Sequence, residues 1–386
     1  MQASIQESAR ALREGLRHAT AGLIGRETLA ELIVLAAVAQ EHLLVIGPPG
    51  TAKSAVVRRV AQSLGGQYFE YMLGRFTEPS ELFGAVDIKK LREGTVETNV
   101  TGMLPEAEVA FLDEVFLGST AILNTLLGVL NERRFRRGHT DVTCPLRVCV
   151  GASNALPDDE SLAAFADRFL IHAFVSPVED ALLESLLQGG WQSDFVKLAS
   201  EGGIAHLDVL ARQLPTVDMV TARPALADAI RQLRAAGVQL SDRRVVKTQR
   251  LVAASALLAG RQQATPADIW PLLYALPTLT AQQQARDALK DIFAAAEHPH
   301  LMHAVEHATL QPRSRAARLA EAAERCLVDA AAGAPETTLR AEAVLREIDA
   351  NFTASQLPAE LVIWREKLRA CLRVDAAAAT PVIAAT

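Results

Sequence analysis

The chain has 386 residues, 50% of them hydrophobic, 22% charged and 5% aromatic, with a formal net charge of −6 and a pI near 5.9. That length suggests two or three domains with a sizeable core, and the balance excludes disorder as the global state. An acidic chain argues against wrapping nucleic acid, which needs clustered Lys and Arg, and leaves only a local basic patch open.

In chain order, Met1 to Arg17 carries Glu7, Arg10, Arg13, Glu14 and Arg17 at intervals that no signal-peptide core would tolerate, so this segment is expected to remain in the mature protein. The longest apolar run, Leu32 to Ala39, is far short of the ~20 residues that cross a bilayer. No membrane span and a cytoplasmic location are expected. The four cysteines, Cys144, Cys149, Cys326 and Cys371, lack CxxC pairing and histidines at metal-ligand spacing, which indicates neither a zinc site nor a disulfide framework and suits a reducing compartment.

From about Ala30 to Phe174, short β-rich apolar runs alternate with helical patterns. His42–Ile46, Tyr68–Met72, Glu108–Leu112, Arg147–Gly151 and Ile171–Phe174 are the candidate strands of a five-stranded parallel sheet with helices on both faces. Two hairpins interrupt this pattern. Val86 to Leu91 and Thr95 to Val100 flank the turn-like Arg92-Glu93-Gly94, and Phe135 to Val142 turns around Gly138. The basic cluster Arg133, Arg134, Arg136 and Arg137 fits either an acidic partner or a solvated face.

After Pro177 the pattern becomes amphipathic helices, over Val178–Leu187, His206–Leu214, Ala222–Ala236 and Asp242–Ala259. From about Thr280 the chain is helical again. Arg313–Leu327, Leu339–Ile348 and Leu357–Leu372 predict a helical hairpin or small bundle with Phe352 and Trp364 as core anchors. His298, His300, His303 and His307 include one i,i+4 pair, but without nearby Cys or an acidic signature packed or exposed histidines are the expectation.

Three motifs carry chemistry. Gly47-Pro48-Pro49-Gly50-Thr51-Ala52-Lys53-Ser54 follows an apolar strand and precedes a helix beginning Ala55-Val56, the context a P-loop requires. Backbone N–H groups would surround the β-phosphate, Lys53 would reach the β- and γ-phosphates, and the Ser54 hydroxyl would ligate Mg²⁺. Ala52 stands where a second glycine is usual, and a negative φ is expected to accommodate its methyl. A Gly/Pro turn before a helix is the blander reading.

Val109 to Leu112 delivers Asp113 and Glu114 at a strand's carboxyl end, where open α/β sheets bind ligands. Asp113 would hold the Mg²⁺ shell and Glu114 would polarise the attacking water, although a strand-end acidic pair also suits a solvated loop or a helix cap. Arg147 to Ser153 ends in Asn154, which could hydrogen-bond the γ-phosphate or the water, or simply turn the chain.

With these three elements in order, the chain resembles the AAA+ ATPases, specifically the MoxR family and its RavA-like group. The stretches 75–84 (RFTEPSELFG), 102–108 (GMLPEAE), 121–127 (AILNTLL) and 131–133 (NER) carry the likeness, which covers about Arg10 to Arg261. The resemblance implies a P-loop core over 1–178 with inserts near 86–100 and 134–146 and a helical lid over 179–279, while beyond the likeness the sequence pattern predicts a helical extension over 280–375 and a disordered tail over 376–386. It implies that Ile24 and Gly25, in 22–27 (GLIGRE), line an adenine pocket beside Pro48, Pro49, Gly50, Thr51, Ala52, Lys53, Ser54 and Ala55. It matches Arg168, in Asp167-Arg168-Phe169, to an arginine finger acting on a neighbour's nucleotide, and the Arg243-Arg244 doublet to a lid sensor of the nucleotide, with Arg243 the better candidate by spacing, the choice between the two open, and a solvent-facing Arg244 the alternative. The two inserts look like those of the clade that holds magnesium chelatases and MCM motors.

The resemblance further implies an Mg²⁺-dependent ATP hydrolase working as a hexameric ring. It would bind ATP/ADP and remodel a client protein like a chaperone, beside a partner carrying a von Willebrand factor A domain. A DNA-translocating motor and a nucleotide-gated assembly scaffold are the alternatives; the acidic balance and the lack of a DNA-binding signature weigh against the first.

Overall fold

Ser4 starts the first helix by accepting from the Glu7 amide while the Glu7 carboxylate returns to the Ser4 amide, a reciprocal cap. The computed structural model of this protein describes residues 4–193, 202–310, 312–331, 337–352 and 357–378. In chain order it runs α1 (Ile5–Thr20), α2 (Glu27–Ala39), β1 (Leu43–Ile46), α3 (Lys53–Leu64), β2 (Tyr68–Met72), α4 (Pro79–Phe83), α5 (Ile88–Arg92) and β3 (Val109–Asp113). It continues through α6 (Thr120–Glu132), β4 (Arg134–Arg137), β5 (Thr140–Thr143), β6 (Val148–Ser153), α7 (Glu160–Ala166) and β7 (Ile171–Phe174). Helices complete this part of the chain: α8 (Leu183–Ser193), α9 (Gly203–Gln213), α10 (Ala222–Ala235), α11 (Asp242–Leu258), α12 (Leu279–Ala288), α13 (Lys290–Phe293) and α14 (Met302–Thr309).

The five expected strands form one parallel sheet in the order β2-β3-β6-β1-β7. Side chains alternate across a strand, so neighbouring residues go to different cores. Leu43, Val45, Val109, Phe111, Val148 and Val150 join the helices on one face, whereas Leu44, Ile46, Ala110, Leu112 and Cys149 join α6 and the β4–β5 hairpin on the other. Helix α2 is buried from Leu29 to Ala39, as an all-apolar helix must be. Its one acid in that stretch, Glu31, accepts from the Ala304 amide (2.7 Å) and pairs with His303 Nδ1 (2.8 Å).

The second expected hairpin is present as β4 and β5. The first is not a two-stranded hairpin: Asp87 Oδ1 accepts from the Lys89 and Lys90 amides and caps α5, which withdraws 88–92 from any ladder. What remains is an isolated bridge from Val86 to Thr98. This insert packs on the other, with the Thr98 amide donating to Thr140 Oγ1 (2.7 Å) and the His139 amide to Val96 O (2.8 Å).

The chain divides into two compact units, residues 1–308 and 309–386. The boundary expected at 279/280 therefore falls inside the first unit, because Ala285, Leu289, Phe293, Leu301 and Val305 belong to the same apolar core as α2 and α11. The second unit holds α15 (Pro312–Ala331), α16 (Thr337–Asn351) and α17 (Ala359–Ala378). Its core includes Leu319, Ala323, Ile348, Phe352, Leu361 and Leu368, with Trp364 packed against them, and Asp349 pairs with Arg365 at 2.6 Å. Helix α17 runs through residue 378; the rest of the expected tail, 379–386, lies outside the described residues.

The clustered histidines are packed. His298 Nε2 donates to Ser255 O (2.9 Å), and His307 stacks on Tyr274 with ring centroids 5.8 Å apart. Among the described residues no group of three or more His, Cys, Asp and Glu side chains could hold a metal. No described helix is long and apolar enough to cross a membrane.

Burial pushes the imidazoles of His172, His298 and His307 down to about 4. Each binds its proton more weakly folded than unfolded, so its contribution to stability is full above pH 6.5 and is lost as pH falls towards 4. Thermal melts between pH 7 and pH 4 should show stability falling through that window by about 1.4 kcal/mol per pH unit for each histidine. A flat melting temperature there would contradict the neutral, buried assignment.

Candidate functional site

Beyond Ile46 the chain turns over the carboxyl edge of the sheet. The Gly47 amide donates to Ser153 O at 3.1 Å, and a Cβ at position 47 would lie 2.2 Å from Val175 O, so only glycine fits. Thr51 Oγ1 donates back to Pro48 O at 2.9 Å. Arg26, which sequence reasoning did not single out, is buried and ties three segments together. Its guanidinium donates to Thr51 O (2.8 Å), Gly25 O (2.8 Å) and Ser176 O (2.9 Å), which sets half-buried Ile24 and exposed Gly25 against the loop.

Helix α3 begins at Lys53 without a side-chain cap, and its first helical bond is from the Val56 amide to Ala52 O at 3.1 Å. The amides of Lys53, Ser54 and Ala55 thus belong to the open first turn, where the helix dipole favours an anion. Lys53 is 8% exposed, yet its ammonium donates to Gly47 O (2.8 Å) and Pro48 O (3.1 Å) and, among the described residues, pairs with no carboxylate. A buried cation without an acidic partner is costly by itself and suits a site that takes an anion.

Ala52 is a correction. Its φ is +60° and ψ 24°, in the left-handed region, not the negative φ expected. The methyl is therefore held in a conformation costing about 1–2 kcal/mol.

Asp113 ends β3, and Glu114 follows at φ +49° with its amide donating to Asp113 Oδ1 at 3.0 Å. From adjacent β6, Asn154 Nδ2 donates to Glu114 Oε1 at 2.7 Å. Asn154 thus holds the acid in this structure. Ser54 and Asp113 are both half-buried on this edge. Two hard oxygen donors do not make a metal cage by themselves, but they fit Mg²⁺, which completes its octahedron with phosphates and water.

Arg168 and Arg243 are elsewhere. Ile171 pairs with Leu43 at the start of β1, so Arg168, three residues earlier, lies on the amino edge of the sheet. The four residues of β1 separate the edges by roughly 13 Å at a strand's rise. Arg168 Nε is buried without a hydrogen-bond partner, and its guanidinium pairs with no carboxylate among the described residues. Arg243 Nη2 donates to Asn131 Oδ1 (2.7 Å) at the end of α6, next to Arg133, which holds Gln40 O at 2.9 Å. Arg243 therefore does not reach the phosphate loop of its own chain.

Arg244 faces inward and not to solvent, at 2% exposure. Nε donates to Asp167 Oδ1 (2.6 Å), Nη1 to Leu170 O (2.9 Å) and Ala275 O (2.7 Å), and Nη2 to Phe169 O (2.8 Å) and His172 Nε2 (3.2 Å). The His172 tautomer follows from Nδ1 donating to Pro277 O at 2.8 Å. The helical period could have shown this, since Arg244 shares one face with Thr248, Leu251 and Ser255, all buried. Beside this turn, Phe169 packs on Phe165 (5.7 Å between centroids) and on the bare backbone of Gly151 in β6.

A model of the MoxR domain in the MoxR-vWA-beta-propeller ternary systems matches residues 10–213, and an AAA lid domain model matches residues 223–289. An uncharacterized protein of Methanocaldococcus jannaschii is 35% identical over 240 residues, 62% of this chain and 63% of that protein. The chaperone MoxR1 of Mycobacterium tuberculosis is 24% identical over 165 residues, 41% of this chain and 43% of that one. In each case the chain spans less than two thirds of the relative's length. A crystal structure of a Cytophaga hutchinsonii protein named as a candidate ATPase shares the fold, with a TM-score of 0.57 at 16% identity over 76% of this chain and 97% of that one.

The left-handed Ala52 is directly testable. Ala52→Gly should raise stability by about 0.5–1 kcal/mol in thermal or denaturant unfolding, the relief of strain less the entropy glycine adds to the unfolded chain. A loss of stability would mean that the loop holds Ala52 at negative φ.

Proposed function

The chain belongs to the MoxR family of AAA+ ATPases, and from that premise we propose that it binds and hydrolyses ATP in a ring of like subunits, a hexamer. The observation that carries the reading is the buried Lys53 ammonium, held by two carbonyls beside the uncapped turn of α3. Lys53 would exchange those carbonyls for the β- and γ-phosphates while amides 50–55 surround the phosphate chain. Ile24 and Gly25 would line the base side. Ser54 Oγ and the Asp113 carboxylate would hold magnesium, which would supply positive charge against the bound triphosphate. Glu114 would orient the attacking water and accept its proton, with Asn154 fixing the carboxylate through the 2.7 Å bond.

Arg168 supports a shared site, because it sits on the edge remote from its own loop with a guanidinium no carboxylate neutralises among the described residues. Presented to a neighbour's nucleotide it would stabilise charge in the transition state, an effect of about 10³–10⁵ in rate in other NTPases. Arg243, on the same edge, would serve the neighbour's nucleotide as well.

The family model's description and the name of the mycobacterial relative support chaperone-like remodelling of a client, beside a partner with a von Willebrand factor A domain. The stretch 75–84 supports the RavA-like group, and a cytoplasmic location belongs to the same proposal. Against a DNA motor, three of the four clustered arginines already have local partners, Arg133 with Gln40 O (2.9 Å), Arg134 with Asp141 (2.8 Å) and Arg136 with Glu132 (2.8 Å), which leaves exposed Arg137 outside these pairs.

Glu114→Gln should retain ATP and lower turnover by about 10²-fold or more; undiminished hydrolysis counts against the assignment. Mixing Lys53→Ala with Arg168→Ala protomers, each inactive alone, should recover part of the activity, since some interfaces then join an intact loop to an intact guanidinium. Failure of every mixing ratio would reject the shared site.

A further inference from the structure

A buried arginine presents five N–H donors, and leaving any of them unpaired is costly. In Arg244 all five are used. Four of the acceptors, Asp167 Oδ1, Phe169 O, Leu170 O and His172 Nε2, lie in the six residues that contain Arg168. The fifth, Ala275 O, belongs to the helical segment after α11. The planar fork of a guanidinium fits this divergent set, and a lysine ammonium with three donors cannot. The same helix is fixed along its length to the amino edge: Lys247 pairs with buried Glu41 at 2.5 Å, and Arg250 Nε donates to Ala39 O at 3.0 Å. Helix α11 therefore grips the turn that carries Arg168 and makes none of these contacts to the phosphate loop.

We infer that Arg244 is a positioning residue for Arg168: it locks the 167–172 turn to α11, so that the first turn of this helix sets where the Arg168 guanidinium is offered to the next subunit. The inference rests on the shared-site reading of Arg168. It gives the helical region a task on the neighbour's nucleotide, carried by a residue that touches no nucleotide itself.

The test is steady-state ATP hydrolysis by the full chain. Arg244→Lys should lower kcat about 10²-fold, the loss expected when a reacting group is displaced by about 1 Å. The KM for ATP should stay within about twofold, because the loop lies on the other edge. Asp167→Asn removes one anchor of the same turn and should show the same split if Arg244→Lys does not fold. In an Arg168→Ala background either change should cost less than about twofold more, since the group being positioned is gone. Adding Lys53→Ala protomers to Arg244→Lys protomers should restore turnover, because they bring an intact Arg168 to an intact loop.

Unchanged kcat in both variants, a raised KM alone, a full additive loss in the Arg168→Ala background, or loss of folded protein in both variants would each overturn the inference. Arg168→Ala with undiminished kcat would instead reject the shared site, and the inference with it. The two failures are thus distinguishable.

Discussion

Parallel strands all point one way, so a sheet built only from them has two chemically different edges. Here the carboxyl edge carries the phosphate loop, Asp113, Glu114 and Asn154, and the amino edge carries Arg168 and Arg243. The separation is set by the rise of β1 and the register of β7 beside it. No rotamer change closes it, and bringing Arg168 to its own loop would mean unzipping β7 from β1. Under the proposed shared site, chemistry that uses both groups would draw them from two chains. The topology thus favours a composite site before any interface is considered.

The same edge explains why the helical region does not separate from the sheet as a compact unit. Glu41 is 1% exposed and is neutralised by Lys247 from α11, with Arg250 Nε 3.5 Å away. Removing one partner of such a buried pair leaves a charge uncompensated, at a cost of about 3–5 kcal/mol. Apolar packing adds to this, because Leu251, Val252 and Ala254 enter the core of α2. A lid moving on these contacts would take the amino edge with it.

Much of this was legible in the sequence, for identifiable reasons. Ile171–Phe174 is a strand with the expected bounds, because burial on two faces leaves a continuous hydrophobic signature, and Tyr68–Met72 keeps its bounds too although, as an edge strand, it is only half-buried and ends in exposed Met72. The loop and the acids were legible because their chemistry demands residue types at fixed spacing. Side-chain placement was not. Ala52 gave no sign of its positive φ, since the methyl tolerates both regions at a cost. The choice between Arg243 and Arg244 stayed open, with a solvent-facing Arg244 among the alternatives, because charge is a poor guide to burial when the acceptors include backbone carbonyls from 169, 170 and 275. The first insert became a helical turn through one capping residue, Asp87, whose local bonds outcompeted a two-stranded ladder. The unit boundary moved from 279 to 308 because α12 to α14 carry apolar residues on the face turned to α2.

Gly151 lies mid-sheet with ordinary backbone angles, so its lack of a side chain is not demanded by the turn of the chain. A β-carbon there would stand 3.0 Å from Phe169 Cζ and 3.1 Å from Cε1. The volume at 151 and the volume at 169 are consequently one shared quantity: an alanine in the strand is accommodated only where the phenyl ring, and Leu44 at 3.3 Å, give way by a few tenths of an ångström. Residue 151 is thus a spacer for the guanidinium one place before that ring, and its contribution is the room it leaves empty.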